Sequence, residues 1–185
     1  MMSNFLAKAA MCVVFAFLLN TICLAQAAKP AAKKPADVGP KVTQVDIEGL
    51  KALLKTNNKP LLINFWATWC EPCREEFPDL VKIDAVYRGK IDFITISLDD
   101  VEDIIYLVPK FLREVKAEMP AYLLKTPDES AAIALVAKEW SGNLPMTILF
   151  DAAGEKVYQK NGKISFDSLG VEIAKVLTGK AVGAP

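Results

Sequence analysis

No histidine occurs anywhere in the 185 residues. That absence excludes imidazole general bases, His-ligated metal or haem, and every catalytic triad that needs an imidazole. A surplus of charge is missing too. The 22 basic residues are matched by 22 acidic ones, so the chain has no broad positive field to gather DNA or RNA. No internal repeat is visible. Cysteine is scarce: Cys12, Cys23, Cys70 and Cys73 are the only four. Apolar residues, by contrast, make up 52% of the chain. That is too many for a disordered polymer and enough for one well-buried domain with an extra segment.

The first residues carry a single lysine and lead into Ala9 to Ala25, an uncharged run that contains VVFAFLL. Such a segment reads as a secretory signal, and Ala25-Gln26-Ala27 fits the small-x-small pattern before a cleavage site. A mature start near Ala28 is expected, followed by a Pro/Ala/Lys linker over 28–41. An uncleaved membrane anchor is the competing reading, since the run can nearly span a bilayer. Both readings put the domain outside the cytoplasm, in the periplasm or its equivalent. A lipid anchor on Cys23 fits poorly, because Asn-Thr-Ile precedes it. Cleavage at Ala27 would remove Cys12 and Cys23 and leave only two thiols, three residues apart, in an oxidising compartment.

Beyond the linker, a domain is expected over 42–179, with a short tail over 180–185. Thr43 and Asp46 resemble a helix cap, with Ile47, Leu50 and Leu54 on one face, and Asn57-Asn58 as the stop. LLINFWA and IDFITISL read as buried strands. A helix is expected from Glu71 to about Tyr87, bent by Pro78. From Asp99 to Glu118, Val101, Ile104, Ile105, Val108, Leu112 and Val115 form a helical stripe in which Pro109 demands a kink or break. AYLL is a short strand. Thr126-Pro127-Asp128-Glu129 reads as a helix start with a Thr cap, and that helix is expected to end near Gly142. MTILF, the turn DAAG and EKVYQK make a strand pair. Phe166, Leu169, Ile173, Val176 and Leu177 mark a last amphipathic helix. Alternating strands and helices ending in a hairpin plus helix predict an α/β sandwich.

The chemistry concentrates in Trp69-Cys70-Glu71-Pro72-Cys73. Two thiols two residues apart at a strand-to-helix junction can close a disulfide and reopen it. The positive end of the helix stabilises a thiolate on Cys70, making it the nucleophile, while Cys73 resolves the mixed disulfide. Pro72 rigidifies the loop at a position where its missing N–H costs nothing. Two other readings compete. Zinc needs about four ligands, and there is neither histidine nor a second cysteine pair. A purely structural disulfide would gain little, because so short a loop restricts the unfolded chain less than a long one.

LLINFWATWCEPCREEFP resembles the active-site segment of the thioredoxin superfamily, in particular its exported TlpA/ResA-like branch, over approximately residues 42 to 179. Asn64-Phe65-Trp66 and Leu144-Pro145-Met146-Thr147 support the likeness. It implies a thioredoxin-like fold with a central mixed sheet, flanking helices and a helix-strand insertion at Asp100 to Leu124. It further implies a cis Pro145 beside the disulfide, with Leu144 and Pro145 docking the substrate chain as an added strand. Asn64 stands where cytoplasmic thioredoxins usually have a buried aspartate, and it cannot relay a proton. In that branch a carboxylate after the next strand takes the place, for which Asp99 or Asp100 is available, although both could simply cap the following helix.

Glu71 between the cysteines should oppose a thiolate on Cys70, with Trp69, Pro72, Asn64 and Asp100 as further tuning residues; Arg74 would act in the opposite sense. A reductant is therefore expected, with no cofactor. The resemblance implies disulfide-bearing protein substrates, apocytochrome c among them, and a membrane protein as electron donor. Nucleic acid is not a partner, and the membrane is one only if the N-terminal segment stays uncleaved. Oxidase, isomerase and a non-enzymatic binding module of the same fold remain alternatives.

Overall fold

The computed structural model describes residues 40–179, so the expected leader, most of the linker and the tail lie outside the described residues. Six strands form one sheet in the order β1-β4-β3-β2-β5-β6. At its centre lies β2 (Leu61–Trp66), buried along its whole length. This explains why its sequence is apolar on both faces, Asn64 excepted, rather than alternating. It pairs in parallel with β3 (Asp92–Ser97) and antiparallel with β5 (Met146–Phe150). Outward from β3 come β4 (Ala121–Leu124) and then β1 (Val42–Val45), both parallel; β6 (Lys156–Asn161) closes the other edge, antiparallel to β5.

Because side chains alternate along a strand, β2 feeds two cores. Leu61, Ile63 and Phe65 face helices α1 (Ile47–Leu53) and α4 (Glu129–Val136). Leu62 and Trp66 face α2 (Glu71–Tyr87), α3 (Leu107–Glu114) and α5 (Phe166–Thr178). Asn64 and Thr147 sit at positions of this second set, as buried polar exceptions in an otherwise apolar layer. The apolar stripe of the last helix buries Leu169 and Ile173, with Phe166 and Val176 packed beside them, whereas Leu177 stays exposed.

Four local expectations are corrected. Thr43 caps no helix: it lies in β1, paired with β4, and Asp46 is the cap, accepting from Gly49 N at 2.8 Å. A cap three residues later still starts a helix on the same apolar face. The segment after β3 breaks at Tyr106, between a 3-10 turn (Val101–Ile105) and α3, and not at Pro109. Pro109 falls in the first turn of α3, where a missing N–H leaves nothing unpaired. Ile105 consequently leaves the stripe and is 85% exposed. Helix α4 is capped by Asp128 rather than Thr126: Asp128 accepts from Ala131 N, while Thr126 Oγ1 accepts from Asp128 N. The same helix stops at Val136, well before Gly142. Ala137 is extended, and the turn after it brings Trp140 against Phe65, ring centroids 5.0 Å apart. Burying that indole outweighs extending the helix through Lys138 and Glu139.

Candidate active site

Strand β2 ends under the turn that presents Cys70, and α2 begins with the next residue. Cys70 occupies the N-cap position, its backbone extended, and its Sγ accepts from Cys73 N at 3.3 Å. The sulfur therefore sits among the unpaired N–H groups of a helix start, the place where partial positive charge is concentrated. Cys70 and Cys73 are joined as a disulfide with Cα atoms 5.3 Å apart. Cys73 is fully buried and Cys70 is 6% exposed. Trp69, just before the pair, is 69% exposed, and Glu71 and Pro72 lie open to solvent in the first turn of the helix.

One turn beyond Cys73, on the same face of α2, stands Glu76, 1% exposed. Its Oε1 accepts from Asn64 Nδ2 at 2.8 Å and its Oε2 from Ile164 N at 2.9 Å. Burial pushes this carboxyl up to about 7, against the pull of those two hydrogen bonds and of nearby Lys163. Asn64 Nδ2 also donates to Thr147 Oγ1 at 3.0 Å. A carboxyl that changes charge near neutrality is thus tied both to the central strand and to β5. The Leu144–Pro145 bond immediately before β5 is cis.

Of the two aspartates after β3, the structure separates the roles. Asp99 is buried and accepts from Thr68 N at 3.0 Å, from Thr68 Oγ1 and from Ser97 Oγ, pinning the turn that carries Trp69 and Cys70. Asp100 is exposed at the N-cap of the 3-10 turn and makes no side-chain capping bond. Neither caps a helix through its side chain, so the capping alternative fails for both. Asp100 instead lines a cleft of about 370 Å³ beside the disulfide turn, together with Trp69, Lys125, Ile133, Trp140 and Leu144.

Residues 41–111 match the Thioredoxin family model. The matched stretch is the one that holds Cys70 and Cys73. The thiol-disulfide oxidoreductase ResA of Bacillus anthracis is 27% identical over 139 residues, covering 74% of this chain and 75% of that protein. Two solved structures share the fold. One is a thiol:disulfide interchange protein of the thioredoxin family from Chlorobium tepidum TLS, with TM-score 0.57 and 22% identity over 79% of this chain and 99% of that one. The other is a secreted disulfide oxidoreductase of Mycobacterium tuberculosis homologous to DsbE of Escherichia coli, with TM-score 0.51 and 21% identity over 64% and 82%.

In this fold the segment Asp100 to Leu124 is locked to the active-site helix. Phe111 of α3 meets Trp66 and Phe77 at centroid separations of 5.1 and 4.9 Å, and Trp66 meets Phe77 at 4.6 Å. Arg74 lies over the Phe111 ring at 5.8 Å, so its charge is held on the insertion side of α2. Glu76 is the site residue that sequence reasoning missed. Its signal was the spacing Cys73, Glu76, Leu80, Ile83, which puts a carboxylate on the buried stripe of α2.

Proposed function

We propose that this chain is an exported thiol-disulfide oxidoreductase that reduces disulfides in protein substrates. The observation that carries the reading is Cys70 at the start of α2, its sulfur facing the helix N–H groups with Cys73 buried behind it. In the reduced protein the Cys70 thiolate attacks a substrate disulfide; one substrate sulfur bonds to Cys70 and the other leaves as a thiolate. Cys73 then loses its proton to the Glu76 carboxylate and attacks Cys70 Sγ. The Cys70–substrate bond breaks, the second substrate sulfur leaves, and the protein is left as the disulfide. Two electrons have passed to the substrate, and a dithiol donor must return them. A base near 7 suits that proton transfer at neutral pH.

Glu71 supports the reductant direction: its negative charge disfavours a second anion on Cys70 and so favours the disulfide form. Leu144, Pro145 and Trp69 are the proposed docking edge for the substrate chain, and Asp99 holds the turn beneath them. Export is supported by the uncharged run Ala9 to Ala25 and by the secreted relative with the same fold. A membrane dithiol protein as donor and apocytochrome c as substrate are the pairing that the ResA likeness favours. Among the described residues no helix is long and apolar enough to cross a membrane, so anchoring would fall to the N-terminal segment. The deciding experiment is the redox potential of the pair equilibrated against glutathione. A value nearer thioredoxin's, about −270 mV, is expected, and one near the roughly −120 mV of a strong oxidant would overturn the reductase reading.

A further inference from the structure

Asn64 is fully buried and has its amide committed on one side only. Both Nδ2 hydrogens are used, one on Glu76 Oε1 and one on Thr147 Oγ1, while Oδ1 has no partner. On the other side of Asn64 in the sheet, its register partner Thr95 carries a buried hydroxyl that is also unpartnered. This arrangement suits an ionised Glu76, which can only accept. Once Glu76 is protonated it carries an O–H donor, and because both of its partners, Asn64 Nδ2 and Ile164 N, are donors, that O–H has no acceptor, a costly state in a buried site. A half turn of the amide resolves the conflict. Oδ1 would then accept from Glu76, and Thr147, whose hydroxyl both donates and accepts, would reverse its role. Leucine at this position has no such second setting, and an aspartate would reach one only by taking up a proton itself.

We propose that Asn64 is a positioning residue whose amide turns over as Glu76 gains or loses its proton, so that the buried carboxyl has a matched partner in both states. The proposal rests on the reading that Glu76 exchanges a proton during turnover, and it assigns to Asn64 what an aspartate at that position would do by carrying the proton itself. Other charged or titratable groups around Glu76 are Asp79 on α2, Lys163 after β6, already paired with Glu75, and Tyr158 on β6; Cys73 is held in the disulfide. None of them bonds Asn64.

The test is a pH titration of the oxidised full chain by NMR, following the Glu76 carboxyl carbon and the Asn64 side-chain amide together. Both should move with one midpoint near 7, and the Asn64 signals should become independent of pH in Glu76→Gln. In Asn64→Leu the ionised carboxyl loses a donor, so its proton affinity should rise about tenfold. The pH midpoint for release of the mixed disulfide should move upward by the same factor. Asn64 signals that stay fixed while Glu76 titrates, or an unchanged midpoint in Asn64→Leu, overturn the proposal; the native titration decides it even if the variant fails to fold. A native chain that exchanges no disulfides, yet whose Asn64 and Glu76 titrate together, would refute the proposed function and leave the amide coupling standing.

Discussion

Replacing Glu76 by glutamine should alter how stability depends on pH, and the size of the effect follows from the site. In the unfolded chain this carboxyl ionises near 4.5; in the folded protein burial raises that to about 7. The folded state therefore binds the proton more tightly, and the stability associated with the neutral carboxyl is fully present below pH 4.5. It declines as the pH rises between the two values and is gone above the folded one. At roughly 1.4 kcal/mol for each pKa unit, the change across that window is about 3 kcal/mol. Glutamine cannot ionise, so the variant lacks this component. It can also leave one of the two donors, Asn64 Nδ2 or Ile164 N, without an acceptor, a cost of about 1–3 kcal/mol that does not vary with pH. The assay is urea unfolding of the oxidised chain at several pH values from 4 to 8.5, comparing native protein with Glu76→Gln. The stability difference should shift in favour of the variant by about 3 kcal/mol from the acid to the alkaline end. A difference constant across the range would show that Glu76 ionises normally, and the role given to it in proton transfer would fall.

Three further outcomes are expected. Cys73→Ser should accumulate substrates as mixed disulfides on Cys70, whereas Cys70→Ser should trap almost none; equal trapping on non-reducing gels would remove the assignment of attacker and resolver. Glu71→His replaces a carboxylate next to the attacking sulfur, so the potential of the pair should rise, by about 30 mV for a tenfold change in the exchange constant against glutathione. An unmoved potential would dissociate Glu71 from direction. Phe111→Ala opens the ring cluster with Trp66 and Phe77 and should cost about 3–5 kcal/mol of stability, read from the urea midpoint; a loss below about 1 kcal/mol would mean the insertion is not anchored there.

The parts of this protein that could be read from sequence are those in which a local pattern and the tertiary environment agree. LLINFWA is apolar but for Asn64 because β2 is covered on both faces, and the helix from Glu71 to Tyr87 appears with the boundaries its pattern predicts. Misreadings arose where the cause was distant in the chain. Thr43 belongs to a strand because β4 is there to receive it, and α4 stops at Val136 because Phe65, far upstream, offers Trp140 a surface. Within the site, the cysteines were legible from spacing alone. Glu76 was not, since a glutamate in a helix ordinarily faces water, and only the stripe it shares with Cys73 and Leu80 gives it away. Asp99 and Asp100 are adjacent and chemically alike; what separates them is Thr68, whose backbone and hydroxyl face one and not the other.

The position of β1 sets an order on assembly. Its one neighbour in the sheet is β4, which lies inside the insertion and is in turn held by β3. The first of the described strands to be synthesised is thus without a template until most of the chain has been made, and its docking closes the longest loop of any strand pair on that side of the sheet. Contacts of such sequence separation come late, because the entropy of closing the loop is lost before the pairing repays it. Until then β4 is a bare edge, open to strands from other molecules. A chain shortened at its N-terminal end past Val45 would keep the disulfide turn and its helix and yet expose that edge permanently, so its failing would be self-association rather than lost chemistry.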